Sequence, residues 1–509
     1  MRNAKLLMFN TIILTGSGFL MRTVGVAFNV YLTNRIGAAG IGLFELIMAV
    51  YGLTVTFAVA GIRLGATRLV TDALGNSKAD PSSSVLTCIR YGVVTGCAAA
   101  LGLYYTSGFI AEHWIAQETA VEALRILSVS LPFVAVSAAL NGYFTARKTL
   151  LKYAGIQLLE QLTKVVATVF ALRRLREGNI SQACACISFG MSLSECVSCT
   201  LSLSVCRLDR RKFKGLEKGN FGLKSLLPIA LPDAIGSGMR SVLLTVEHLL
   251  IPIGFRKSGQ STEQAMDLYG EIHGMALPII LYPAAVLQAL SGLLIPELAD
   301  RRNKGKQEQI DFTVCLCLRL TVLFSLGCAC FLFFFSDDVS RCVYSDSSPS
   351  FFIRLLSLLM PVMYLDTMVD GMLKGLNEQF ASMRYNIIDS SLCVLLVYIL
   401  LPKYAVKGYL VIMFLSEIMN FSFSFHRLTT ACTVRVRWFA DLGKPLLASV
   451  GSMAAVQCGK LFFGMDALTG KTQLFLLVVI ASAVFVAVTL GLGYFNSREK
   501  EMLKKLFVH

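Results

Sequence analysis

Tyr269–Asp300 reads YGEIHGMALPIILYPAAVLQALSGLLIPELAD, and its reading decides the fold. It is one long apolar run with Pro278 and Pro283 inside it. It closes on Gly292, Pro296 and Glu297, and then enters the basic run Arg301, Arg302, Lys304, Lys306. A membrane-crossing helix needs roughly 20 mostly apolar residues, and proline kinks are tolerated where neighbouring helices cover the freed backbone groups. The run has an echo upstream. At an offset of 231, Tyr282 falls on Tyr51, Val286 on Val55, Ala289 on Ala58 and Gly292 on Gly61. Both copies exit into segments carrying Lys and Arg.

The rest of the chain agrees with a membrane. Of 509 residues, 55% are hydrophobic and 16% charged, well short of the quarter or so that a globular protein carries. The expected fold class is an all-α polytopic membrane protein. Fourteen spans are expected: Leu6–Leu32, Ile41–Leu64, Val85–Tyr105, Leu124–Phe144, Tyr153–Leu172, Cys184–Val205, Leu226–Ile253, Tyr269–Ile295, Phe312–Phe335, Phe352–Met372, Ile387–Leu401, Gly408–Phe425, Leu446–Phe463 and Leu474–Tyr494. The net charge of +15 reads as basic cytoplasmic loops and not as a nucleic-acid surface. Lys and Arg concentrate in the loops on the side of the termini, above all between Arg207 and Lys224, whereas the Ser107–Val121 loop has none. Both termini are therefore expected in the cytoplasm, with the Arg173–Arg176 loop as the one exception to the bias. The fifteen Cys lie mostly in apolar runs and read as small buried side chains, with no firm metal site.

The duplication recurs. Asn141-Gly142 closes the fourth span, and Lys374-Gly375 follows the tenth in a similar way at an offset of 233. Two six-helix lobes follow, residues 1–206 and 226–427, joined by a basic linker at 207–225. Residues 428–509 add spans 13 and 14 and a tail. An even number of spans per lobe makes the repeats parallel, the arrangement of transporters that rock two lobes about a central site.

Charge within spans is costly and is usually kept for a pathway. Arg22 lies in span 1, Arg63 near the end of span 2 and Arg240 midway through span 7. Guanidinium pairs with phosphate oxygens in bidentate fashion, so these three are the candidate ligands of an anionic head group. Arg125, Arg319 and Arg354 read as interface anchors. Acids are spread over Glu45, Glu160, Glu247, Asp366, Asp370, Asp389 and Glu417. Glu160 and Lys164, four apart, read as a structural pair. Glu247, Asn386 and Asp389 form a candidate cation or proton site. His248 and His273 read as satisfied core residues. No soluble domain is visible, and the short outer loops weigh against a membrane-embedded glycan polymerase or ligase; the chain is not expected to be an enzyme.

Five stretches carry a family resemblance: Ala60–Asp72 (AGIRLGATRLVTD), Leu140–Val166, Leu227–Pro252, the opening run, and Leu373–Asp389. In their order and spacing the chain resembles the multidrug/oligosaccharidyl-lipid/polysaccharide exporter superfamily, in the branch of stage V sporulation protein B and the polysaccharide-biosynthesis flippases. Arg63 stands where that branch usually has Pro, and Glu247 where it often has Asp. The resemblance implies two lobes forming a V around a cavity, with spans 13 and 14 shaping a groove for a lipid tail. It implies a polyprenyl-(pyro)phosphate-linked glycan as substrate, flipped from the inner to the outer leaflet of the plasma membrane by a monomer. It implies no cofactor beyond a Na⁺ or H⁺ gradient or the membrane potential. The alternative within the superfamily is a cation-coupled multidrug antiporter.

Overall fold

The computed structural model describes residues 2–75, 81–147, 149–174, 179–210, 223–434, 437, 439–463 and 470–494. Most of the basic linker and part of the Arg173–Arg176 loop lie outside them. The described residues are helical, without a strand. The helices are α1 Arg2–Val59, α2 Ile62–Gly75, α3 Pro81–Phe109, α4 Ala120–Ser128, α5 Leu131–Ala146, α6 Leu150–Leu172, α7 Ile180–Arg210, α8 Leu223–Lys257 and α9 Thr262–Tyr269. They continue as α10 Leu277–Leu281, α11 Ala284–Asn303, α12 Gln307–Phe334, α13 Ser336–Tyr344, α14 Ser350–Ser357, α15 Met360–Gly375, α16 Gln379–Ala431, α17 Lys444–Phe463 and α18 Gly470–Gly491.

By length and composition, eight of the described helical stretches can cross a membrane, or eleven if each bent pair counts as one span. The difference from fourteen has a physical source. Gly16–Gly75 runs 60 residues and Gln379–Ala431 runs 53. At 1.5 Å per residue each is about 80–90 Å long, against a hydrocarbon core of about 30 Å. Each is two helices joined across a kink at a residue with non-helical dihedrals, Gly37 in the first (φ 75°) and Ala405 in the second (φ 49°). Lys444–Phe463, the thirteenth span of the sequence, is not among the eight.

Tyr269–Asp300 is not one helix. A π-helical segment, Gly270–Ala276, follows α9, and then α10 and α11 meet at a bend of 57°. Pro283 caps α11 from a position where its missing N–H costs no helical bond. The upstream copy breaks too, at Ala60 and Gly61, both with positive φ.

The chain forms two compact units. The first holds Met1–Gly270 with Ser390–Tyr409, and the second Glu271–Asp389 with Leu410–His509. In the first, α6 lies on α7, α3 and α2 lie on α5, and α8 and α9 lie along α1. Thr245 donates to the Ala49 carbonyl at 3.1 Å and Thr56 to Ser241 at 3.2 Å, which ties α8 to α1. A core of Val70, Val85, Leu140, Tyr143, Phe144 and Ile156 is closed to water. In the second unit α15 lies between α11 and α12, and α17 and α18 add a core on Phe335, Met453, Val456 and Leu477. Arg319 is no interface anchor: its Nε lies 2.9 Å from Asp441 Oδ1, with both side chains about nine-tenths buried. It ties the π-helical turn Phe439–Gly443, which leads into α17, to α12, and Lys460–Asp338 at 2.7 Å ties α17 to α13.

The internal repeat shows in the backbone at an offset of 229. The bent pair α4–α5 corresponds to α14–α15, with Pro132 matching Pro361. Ala116 and Ser345, also 229 apart, both take left-handed dihedrals, φ 56° and 57°. Arg125 donates to Ser107 at 3.2 Å, and Arg354 to Ser336 at 3.0 Å. Gly142 meets α2 at Arg63 and Ala66, as Gly371 meets α11 at Ser291. Gly375 also meets α11, at Ile295 and Leu298.

Candidate functional site

The three candidate head-group arginines stand on three helices of the first unit. Arg22 is half-buried on α1. Arg63 is exposed on the first turn of α2, just past the Ala60–Gly61 break, and its charge reaches Tyr153 on α6. Arg240 is exposed on α8, next to the serine that meets Thr56 of α1.

Beside them lies a charged group that the sequence reading saw only in part. Glu160 and Lys164 share a turn of α6, and α7 adds Glu195, whose charge acts on both. The register explains the meeting. At Gly190 a side chain would clash with Thr168 Oγ1 at 2.1 Å, so the backbones of α6 and α7 approach closely there. Running antiparallel from that crossing, α7 brings Ser198 to Glu160, which accepts its hydrogen bond, and Glu195 to the level of Lys164. Position 25 of α1 faces Gln161 at 3.6 Å, and the Lys164 ammonium lies 6.0 Å from the Phe28 ring. Glu195 was missed because its sequence surroundings, SLSECVSC, have no helical charge partner; only the α6–α7 register supplies one.

A second polar group of this unit surrounds Tyr269, which is fully buried. Its hydroxyl meets His248 Nδ1 at 2.7 Å, and the charges of Glu45 and Glu247 act on it. Cys393 donates to Glu247 Oε1 at 3.0 Å, so this thiol is more than a small apolar side chain. All fifteen cysteines are free.

The candidate cation residues divide between the units. Glu247 belongs to the first, with Cys393 and Tyr269. Asn386 and Asp389 belong to the second, on the first half of α16. There Ser416 donates to Asp389 at 2.7 Å. Asn420 Nδ2 faces Asp366 Oδ2 at 3.3 Å and Asn386 Oδ1 at 3.4 Å. Asn420 is 7% exposed, and its Oδ1 is buried with no hydrogen-bond partner among the described residues. Both contacts are long for N–H···O bonds, whose mode is about 2.9–3.0 Å. They match the oxygen–oxygen edge, about 3.4 Å, of an octahedron around a hard cation held at about 2.4 Å. Turning the Asn420 amide over, which changes its shape little, would present a third oxygen to that centre. Asp370 stands one turn on, accepting from Ser382 and 3.7 Å from the Lys374 ammonium. Among the described residues no three His, Cys, Asp or Glu gather as a metal site.

Residues 7–225 match the family model described as polysaccharide biosynthesis protein. Stage V sporulation protein B of Bacillus subtilis (strain 168) is 22% identical over 406 residues, 77% of this chain and 77% of that protein. Sporulation protein YkvU of the same organism is 19% identical over 353 residues, 68% of this chain and 77% of that protein. Among solved structures, the lipid II flippase MurJ in an inward closed conformation superposes with a TM-score of 0.71 at 14% identity, covering 98% of this chain and 100% of that one. An inward-facing MATE multidrug transporter of the MOP superfamily gives 0.62 at 13% identity, covering 82% and 98%. The structural likenesses establish the fold, and the sequence matches are to stage V sporulation protein B and the polysaccharide biosynthesis proteins.

Proposed function

We propose that this multi-pass membrane protein, a transporter of the multidrug/oligosaccharidyl-lipid/polysaccharide kind, moves a polyprenyl-(pyro)phosphate-linked oligosaccharide from the inner to the outer leaflet of the plasma membrane. The observation that carries the proposal is the placing of Arg22, Arg63 and Arg240 on three helices of one unit. A lipid II or polysaccharide precursor offers those groups a pyrophosphate, to which guanidinium binds in bidentate fashion. Alternating access would admit the head group from the cytoplasmic side, where both termini would lie, and release it outward. An anion leaving a negative interior gains about 2.3 kcal/mol per charge per 100 mV of membrane potential. The Asp366–Asn386–Asn420 group beside Asp389 would hold the coupling cation in the second unit, in place of the triad that included Glu247.

The test is a leaflet-accessibility assay in proteoliposomes loaded with a polyprenyl-pyrophosphate glycan. Arg22→Ala should lower flipping at least about tenfold at unchanged protein level, the loss of one charge-assisted pair in a site of low dielectric. Flipping at the wild-type rate in that variant would end the head-group reading.

One observation favours the antiporter as a second reading. The first unit also holds acids within its long apolar helices, among them Glu45, Glu160, Glu195 and Glu247. Mass spectrometry of lipid that co-purifies separates the two: a polyprenyl pyrophosphate supports flipping, and cationic amphiphiles support antiport.

A further inference from the structure

A cavity of about 510 Å³ opens in the first unit where the end of α3 meets the starts of α4 and α7. Sites that hold small molecules run to about 300–1,000 Å³. Its charged lining is Glu118 and Glu122, at the start of α4, and Arg125, three residues further on. Its floor is fixed. Ser181 donates to the Thr119 carbonyl at 3.1 Å and Ser192 to the Ile126 carbonyl at 3.0 Å, so α4 is bonded to α7 near both ends. Arg125 is fixed as well, by its Nε bond to Ser107 at 3.2 Å and by the Tyr104 ring 5.4 Å from its guanidinium. Its two Nη groups are left over, and among the described residues neither glutamate side chain pairs with them or with another cation. Opposite charges thus line one cavity without neutralising each other. The positive end of α4 accounts for acids at its start, but not for an open guanidinium beside them.

The repeated corner is built differently. At the offset of 229, Arg354 keeps the bond to a serine, but its Nη2 also lies 2.5 Å from Asp337 Oδ2. Gly108 stands in the place of Asp337, and Glu118 and Glu122 in the places of Ser347 and Phe351. One corner is closed by its own carboxylate. The other presents a cation and two carboxylates to whatever enters. The depth of the cavity says what that is. Tyr104 and Tyr105, on the last turns of α3, and Phe109 and Trp114 just beyond are exposed, Tyr105 to 79%. Aromatic side chains of a membrane protein gather at the level of the lipid head groups.

We propose that this cavity binds the head group of a phosphatidylethanolamine, a lipid that carries an ammonium and a phosphate a short arm apart. The Arg125 Nη groups donate to the phosphate oxygens, and Glu118 and Glu122 accept from the ammonium N–H groups. The same chemistry rejects the neighbouring lipids. Phosphatidylglycerol brings the phosphate without a cation and meets two carboxylates of like charge. Phosphatidylcholine brings a cation that has no N–H, so both glutamates go without a hydrogen bond. A soluble zwitterion such as glycine has both charges but no acyl chains, and the aromatic belt around the cavity favours the lipid. The site shares no residue with the Arg22, Arg63 and Arg240 group, so the bound lipid is a neighbour of the transporter and not its cargo.

The experiment titrates the full chain, stripped of lipid in detergent, with dioleoyl phosphatidylethanolamine, phosphatidylglycerol and phosphatidylcholine, and counts bound lipid by native mass spectrometry. Wild type should bind one phosphatidylethanolamine at least about tenfold more tightly than either of the others. Glu118→Gln with Glu122→Gln should erase that preference. Gly108→Asp is the sharper variant, because it sets a carboxylate where Asp337 stands in the other corner and closes the arginine. A Cβ at Gly108 meets nothing within 4 Å, so the fold has room for it. That variant should lose the one tight lipid while its melting temperature stays at or above that of wild type. Equal affinity of wild type for the three lipids would overturn the proposal, and so would a Gly108→Asp protein that still holds the tight phosphatidylethanolamine. Displacement of that lipid by glycine would overturn the lipid as the occupant.

Discussion

The same stretch of helix occurs twice in this protein, and the two copies differ in one cation. At the offset of 229 set by Ser107 and Ser336, α6 begins at Leu150 and α16 at Gln379. Gln157 then corresponds to Asn386, Glu160 to Asp389 and Lys164 to Cys393. The match extends to partners: Glu160 accepts from Ser198 on the next helix, and Asp389 from Ser416. In the first copy the fourth residue on is a lysine, one turn from Glu160 on the same helix. In the second it is a thiol that donates to Glu247. Duplication has kept the polar backbone of the site and exchanged its charge. A copy with a built-in ammonium suits an anion. A copy of amide, hydroxyl and carboxylate oxygens suits a cation brought from outside.

The comparison breaks most readily at the second copy. If its oxygens bind Na⁺, saturating Na⁺ should raise the melting temperature of wild type, by the equivalent of about 2.7 kcal/mol at a hundredfold excess over Kd. Asp366→Asn and Asn420→Leu should abolish that rise, and a scan showing the full rise in both would remove the cation site. Choline in place of Na⁺ serves as the blank.

A smaller effect tests whether the corners are equivalent. Ser107→Ala and Ser336→Ala each remove a buried hydroxyl that meets an arginine, at a cost of about 1 kcal/mol. Matched falls in denaturation midpoint support the repeat. A fall confined to Ser336→Ala would mean that Tyr104, whose ring lies 5.4 Å from Arg125, holds the first corner unaided.

The smallest effect is one of pH. Gln117 corresponds to Asp346 beside the left-handed turn. Asp346 accepts from the Ser348 hydroxyl at 2.8 Å and its backbone N–H at 3.1 Å, and these bonds hold its carboxyl below the usual carboxylate range. A carboxylate so depressed lends stability that is present above its unfolded pKa and lost as pH falls through the folded one. Hydrogen exchange at residues 345–350 should therefore quicken, beyond its intrinsic pH trend, as pH drops below about 4. The first corner, with an amide in that place, should follow the intrinsic trend alone, and equal behaviour of the two would refute the account.

The sequence was sufficient for everything that depends on hydropathy and on spacing along one chain. Long apolar runs with few charges mean membrane helices whatever their neighbours, because the bilayer leaves backbone groups no other partner. The duplication, the arginines within spans and the family resemblance were legible for the same reason: each is a property of residues in order. The breaks at Gly37 and Ala405 were legible as well, since each falls in the gap between two expected spans, Leu32 to Ile41 and Leu401 to Gly408. What belongs to the tertiary structure alone is which charges meet. Glu195 lies 31 positions beyond Lys164 and comes to its side only because Gly190 lets α7 approach Thr168. Glu247 looks toward Asn386 and Asp389 in a list of acids, yet folds with Cys393 and Tyr269. Charge within a membrane is settled by the nearest partner across a helix crossing, and a crossing is a fact of three dimensions.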